Sequence, residues 1–291
     1  MRFQKVMAAA AATVLGLSLA ACGDDDEGGT DLSGVEEAED LSGFAAELSE
    51  AGEIKIGVKM DQPGIGYREP GADAPSGFDI EMGRIVATRL GIDEGSIEWV
   101  ETVSDNREPF LQNGTVDIVI ASYSITDERR AVVGQAGPYY VTGQQLLVRE
   151  DDKETIAGPE DLANVKVCSV EGSTSLETVE KEYGAKPVPF ATYSECVEQL
   201  ENETVDVVTT DGAILLGYAA QKPDELEVVG EPFSEERYGI GYPPDAEGMC
   251  EFLNETIEGS FEDGTWDEAF EATLGESGVE TPEHPELDPC A

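Results

Sequence analysis

Apolar and polar positions along this chain run through the same cycle twice. Ile54-Lys55-Ile56-Gly57-Val58 reads as a strand, and Asp79 to Leu90 carries Ile80, Met82, Ile85, Val86 and Leu90 at helical spacing. Ile97 to Val100 reads as a strand, Pro109 to Gln112 as a piece of helix, and Val116 to Ala121 as a buried strand. Leu146-Leu147-Val148 adds another strand, and then the pattern restarts. Strands are expected at Val165–Val170 and Pro187–Pro189, with helices at Ser175–Tyr183 and Ser194–Asn202. Val205 to Thr210 repeats the buried strand, and Ile214 to Gln221 continues as a helix. Tyr238 to Tyr242 is a late strand, Met249 to Phe261 a helix, and Gly264 to Phe270 opens the last one. Two βαβαβ units in tandem imply an α/β fold of two lobes, each a mostly parallel sheet flanked by helices. Val116-Asp117-Ile118-Val119-Ile120 and Val205-Asp206-Val207-Val208 look like corresponding strands. Ligands of open α/β sheets bind beyond the carboxyl ends of strands, so the loops Ala121–Arg129 and Thr209–Asp211 are expected to face each other across a cleft.

The N-terminus departs from this pattern. Arg2 and Lys5 precede an apolar, small-residue run from Val6 to Leu19, and Leu19-Ala20-Ala21-Cys22 matches a lipoprotein cleavage site. The run is short for a membrane span and has secretory flanks. Residues 1–21 are thus expected to be a signal peptide, and Cys22 a lipidated mature N-terminus on the outer face of a cytoplasmic membrane. The glycine- and acid-rich stretch that follows has little to build a core from, so residues 22–51 are expected to be a flexible tether, with a short helix within Leu41–Leu48 docking on the body.

Charge and cysteine content narrow the class further. Removing Arg2 and Lys5 with the leader leaves 15 basic residues against 63 acidic ones, a formal charge of −48. That excludes nucleic-acid or anionic-membrane binding through a basic face. The acids are spread over every surface segment, a pattern that suits a high-salt habitat. Besides Cys22 there are four cysteines, Cys168, Cys196, Cys250 and Cys290, an even count that favours disulfides in an exported chain. Three connectivities are open. Pairing Cys168 with Cys196 and Cys250 with Cys290 keeps each bridge in one region, and the second would staple the acidic tail at 276–291. A metal site competes poorly, because no CxxC spacing exists and His284 is the single histidine. No metal or other cofactor is expected.

The candidate chemistry lies in Ala121-Ser122-Tyr123-Ser124-Ile125-Thr126-Asp127-Glu128-Arg129. Small hydroxyl residues let a ligand approach the backbone and can hold an ammonium, while an arginine presents a planar fork to a carboxylate. A site with both partners suits a zwitterion such as a free amino acid.

Four stretches, in this order and spacing, resemble the polar-amino-acid branch of the solute-binding proteins of ABC importers: Gly77-Phe78-Asp79-Ile80-Glu81; Ala121–Arg129 with Gly137-Pro138-Tyr139-Tyr140; Glu171-Gly172-Ser173-Thr174-Ser175; and Thr210-Asp211. Gly264-Thr265-Trp266 fits the family's last helix, and the likeness covers about residues 52–275. It is most similar to Gram-positive glutamate-binding lipoproteins, where Asp61-Gln62-Pro63-Gly64, Asn106-Arg107 and a cysteine pair flanking Gly-Ser-Thr-Ser recur.

The resemblance implies a type II periplasmic-binding-protein-like fold, with lobe 1 at 52–141 and 237–275, lobe 2 at 142–236, and hinges near Tyr140–Gly143 and Ser234–Tyr238. It implies that Arg129 holds the ligand's α-carboxylate with help from Ser173 and Thr174 at a helix N-terminus. Ser122 and Ser124 would meet the α-ammonium, and Asp211 would supply its counter-charge. Lys59 and Arg107 would read an acidic side chain, with Tyr67 against its methylenes. The implied ligand is L-glutamate, then aspartate, then glutamine, delivered by a monomer to an ABC permease. A sensor for a membrane signalling partner is an alternative. An enzyme on the same scaffold is disfavoured by the lack of a histidine near the cleft and of a GxSxG motif.

Overall fold

The computed structural model describes residues 29–290, so the expected signal peptide and Cys22 lie outside the described residues. In chain order the elements are α1 (Gly43–Ala51), β1 (Ile54–Val58), β2 (Asp61–Gln62), β3 (Gly66–Tyr67), α2 (Phe78–Arg89), β4 (Ile97–Glu101), α3 (Arg107–Gln112), β5 (Ile118–Val119), α4 (Asp127–Arg130), β6 (Gly134–Thr142) and β7 (Gln144–Arg149). They continue with β8 (Val167–Val170), α5 (Thr174–Lys181), β9 (Val188–Phe190), α6 (Tyr193–Glu201), β10 (Val207–Asp211), α7 (Gly212–Gln221), β11 (Leu226–Val229), β12 (Glu236–Tyr242), α8 (Met249–Asp263) and α9 (Thr265–Glu271).

The strands form two five-stranded sheets, β4-β1-β5-β12-β6 and β11-β7-β10-β8-β9, plus the small β2–β3 hairpin. In the first, β1 runs parallel to β4 and β5, while β12 runs antiparallel to β5 and β6. In the second, β8 runs parallel to β9 and β10, while β7 runs antiparallel to β10 and β11. The parallel trio in each sheet is the βαβαβ unit of the hydrophobic pattern. The antiparallel strands come from the chain crossing between sheets: β6 passes into β7 at Gly143, and β12 returns to pair with β6. β5 and β10 hold equivalent central positions, so the two similar apolar runs are structural counterparts. Only Ile118–Val119 of the first run is strand, because the chain then turns into a loop where Ser122 takes φ 42°.

The sequence motifs meet in the core of the first lobe. Phe78 of α2 packs edge-on against Trp266 of α9 at 5.4 Å between centroids, and the Trp266 indole N–H donates to the Tyr139 carbonyl at 2.9 Å. Gly77, at φ 120°, is forced by the Ile65 backbone, which would lie 2.5 Å from an added Cβ.

The segment expected to be a flexible tether is packed from its described start. The Thr30 N–H donates to the Glu81 carboxylate, Ala38 pairs with the Arg89 carbonyl, and Val35, Ala45 and Leu48 are buried. Leu32, Val35, Ala38, Leu41 and Phe44 all lie against the core, and apolar side chains at every third position can strap a chain to a body despite its acidity. The bridges are Cys168–Cys196 and Cys250–Cys290. The second pins the tail, where Asp288 pairs with Arg130 and Arg237 and His284 stacks on Phe261. Among the described residues no helix is long and apolar enough to cross a membrane.

Candidate functional site

The loop after β5 is held in an uncommon backbone shape by a buried acid. Asp79, in the first turn of α2, accepts the Ser122 N–H at 2.7 Å and the Tyr139 hydroxyl at 2.6 Å. Burial raises its carboxyl to about 6 despite those two bonds. The loop then pairs with β12: Ile125 N–H donates to the Arg237 carbonyl and Gly239 N–H to the Tyr123 carbonyl. Ser122 and Ser124 are thereby fixed at the mouth of the first lobe.

Two guanidinium groups converge behind them. Arg107, at the start of α3, is 2 % exposed and donates to the carbonyls of Ser104, Ala121 and Ser122. Arg129, in α4, donates to the Ser124 carbonyl at 2.7 Å and pairs with Glu108 at 3.3 Å. Both flank the Tyr123 ring, at 4.5 and 5.0 Å from its centroid. Both also reach across the cleft to one acceptor, the Gly172 carbonyl of the second lobe, at 3.1 and 3.0 Å. Lys59 is buried beside them with its ammonium on the Ser104 hydroxyl at 2.8 Å. Burial first, then the Arg107 charge, lowers its pKa to about 7.

The second lobe presents a helix end and an acid. Ser173 caps α5 by accepting the Leu176 N–H. Asp211, at the end of β10, accepts the Tyr238 hydroxyl at 2.5 Å and the Ser175 hydroxyl at 3.4 Å. Its carboxyl is pushed up by burial and then by the charge of Glu236. Cations on one lobe and a carboxylate on the other can clasp a zwitterion by both ends.

Of the residues expected at the site, Arg107, Ser122, Ser124, Arg129, Ser173, Thr174 and Asp211 line one cavity between the lobes. Lys59 stands one layer back, behind Ser104, and Tyr67 lies outside the cavity in the β2–β3 hairpin, where it pairs with Ser76 and Asp61. Ser104, Ser175, Tyr193, Thr210 and Ile214 complete the lining, and Tyr193 supplies the aromatic surface expected of Tyr67. Ser104, Tyr193 and Ile214 are common residue types with no motif around them, so they did not stand out in the sequence, whereas Ser175 and Thr210 lay within motif stretches without an assigned role. The cavity is nearly closed, about 10 Å³, and its lining is mostly polar.

Two α/β lobes joined by two crossings, with a polar, charge-lined cleft between them, define the class of hinged solute-binding proteins. The chain belongs to the bacterial extracellular solute-binding proteins, family 3, whose model matches residues 54–276. It is 39 % identical over 289 residues to the glutamate-binding protein GluB of Corynebacterium glutamicum, covering 95 % of this chain and 92 % of that one. It is 32 % identical over 264 residues to the ABC transporter glutamine-binding protein GlnH of Bacillus subtilis, covering 90 % and 94 %. Among solved structures, an ancestral arginine-binding protein bound to glutamine superposes with a TM-score of 0.71 at 34 % identity, covering 77 % of this chain and 98 % of that one.

Proposed function

We propose that this protein captures an acidic amino acid, L-glutamate before aspartate or glutamine, by hinged closure of its lobes and hands it to an ABC permease. One observation carries the choice of ligand: Arg107 and Arg129 line one wall of the cleft with Lys59 one layer behind them, and the two arginines share a single neutral carbonyl. A carboxylate is a far better acceptor for two guanidinium forks than one amide oxygen. Arg129 would take the α-carboxylate and the Arg107–Lys59 side the second carboxylate, while Asp211 faces the ammonium. The names of the relatives, glutamate and glutamine binders, support the same ligand class. Because the ligand touches both lobes, it binds the closed form better and shifts the population toward it. The protein would act as a monomer, anchored outside the membrane through lipid on Cys22, and not as an enzyme.

Isothermal titration with L-glutamate, L-aspartate and L-glutamine tests the ligand. Glutamate is expected to bind most tightly. Tighter binding of glutamine would remove the role given to Lys59 and Arg107.

A further inference from the structure

Glu236 stands at the junction of both lobes and belongs to none of the motifs. It opens β12 at the second crossing and is 4 % exposed. One carboxylate oxygen accepts the hydroxyls of Ser124 from the first lobe at 2.6 Å and of Thr174 from the second at 2.9 Å. The other accepts the Ser234 hydroxyl at 3.0 Å, and Ser234 in turn accepts the Gln144 N–H at the first crossing.

A carboxylate only accepts, so each of these hydroxyls spends its single proton on Glu236. Ser124 and Thr174 both line the ligand cavity, and with their protons committed to Glu236 each has only lone pairs left to offer a ligand. Without Glu236 the same hydroxyls would be free to donate toward the ligand, which favours a carboxylate and disfavours an ammonium. Arg129 and the Gln135 side-chain amide donate to the Ser124 carbonyl at 2.7 and 3.2 Å and take up both its lone pairs, so the Ser124 hydroxyl is the part of that residue left for a ligand N–H.

We propose that Glu236 is a positioning residue that sets Ser124 and Thr174 as paired acceptors, one from each lobe, for the ligand's α-ammonium, and so makes the cleft select amino acids over plain dicarboxylates. This rests on the acidic-amino-acid reading of the same cleft and adds how the amine is distinguished. Glu236 also adds negative charge near Asp211, which a ligand ammonium between the lobes would offset.

The test compares L-glutamate with glutarate, which keeps both carboxylates and lacks the amine, by titration calorimetry on the wild type, Glu236→Met and Glu236→Gln. Glu236→Met removes the acceptor at similar volume. It is expected to weaken glutamate about tenfold or more while changing glutarate much less, since a charge-assisted hydrogen-bond network is lost on the amine side only. Glu236→Gln, which retains one accepting oxygen, is expected to fall between. Should Glu236→Met fail to fold, Ser124→Ala and Thr174→Val carry the test, and each is expected to shrink the glutamate-to-glutarate ratio. An unchanged ratio, with both ligands weakened alike, would mean that Glu236 is only a hinge brace and would overturn the proposal. A wild type that binds none of the three amino acids would overturn the underlying reading and this proposal with it; one that binds them with an unchanged ratio in the variants overturns the proposal alone.

Discussion

Arg107 and Arg129 point at the same carbonyl but hold different amounts of structure. Arg107 satisfies three carbonyls of its own lobe, so replacing it unpins the loop as well as the ligand. Arg129 makes one such bond within its lobe, which makes it the cleaner probe. Arg129→Ala is expected to weaken glutamate by about 2 kcal/mol or more, at least thirtyfold, because a desolvated carboxylate loses its partner. Calorimetry would check it, and undiminished affinity would count against the whole cleft.

Lys59 supplies a pH signature. Its folded pKa, about 7, lies below the ordinary 10.5. The stability linked to it is therefore fully present above about 10.5 and is lost as pH falls through about 7, where the buried amine must charge beside Arg107. A bound carboxylate favours that charge, so binding takes up a proton above pH 7. Glutamate affinity is expected to decline by up to about tenfold per pH unit above 7, and Lys59→Met should flatten that limb. A pH series of titrations in two buffers of different ionisation enthalpy reads both effects. At this scale Arg107 stood out because cations are scarce in this chain, and Asp211 because it follows a buried strand within one of the family's motif stretches. It hid Glu236, one of 63 acids, whose role comes from three hydroxyls brought together by folding.

Among the elements, the β2–β3 hairpin and α7 meet across the cleft outside the ligand cavity. The Asp61 carboxylate accepts the Tyr193 N–H at the start of α6, and the Tyr218 hydroxyl of α7 donates to the Asp61 carbonyl. Gly217 lets the hairpin in: a Cβ there would lie 2.1 Å from the Pro63 carbonyl oxygen. Alanine suits a helix interior better than glycine by about 1 kcal/mol, so Gly217→Ala should leave the second lobe folded and block full closure. Thermal unfolding is expected to be no lower than wild type while glutamate affinity falls and the ligand-induced compaction shrinks. Strands marked by apolar residues, such as β1 with Ile54, Ile56 and Val58 and the stretch from Val205 into β10, and helices with clear periodicity, such as α2, were legible from sequence. β6 was not, because Gly134, Gly137 and Pro138 interrupt its pattern and its pairing with β12 is settled by the distant return of the chain. The strap at residues 29–42 was masked by its acids, although its apolar residues fall at every third position.

For the whole molecule, charge and closure dominate. A formal charge of −46 over 291 residues repels itself at low ionic strength. Raising salt from about 0.1 M to about 1 M shortens the screening length from roughly 10 to 3 Å, so the melting temperature is expected to rise. A maximum in dilute buffer would remove the high-salt reading of the acids. The central claim is that an acidic amino acid draws the two lobes together through Arg129 on one side and Asp211 on the other. Small-angle scattering during a glutamate titration tests it most directly. The radius of gyration should fall to a plateau for the wild type and stay level for Arg129→Ala. A profile that glutamate leaves unchanged, or that glutamine contracts at lower concentration, would contradict the account.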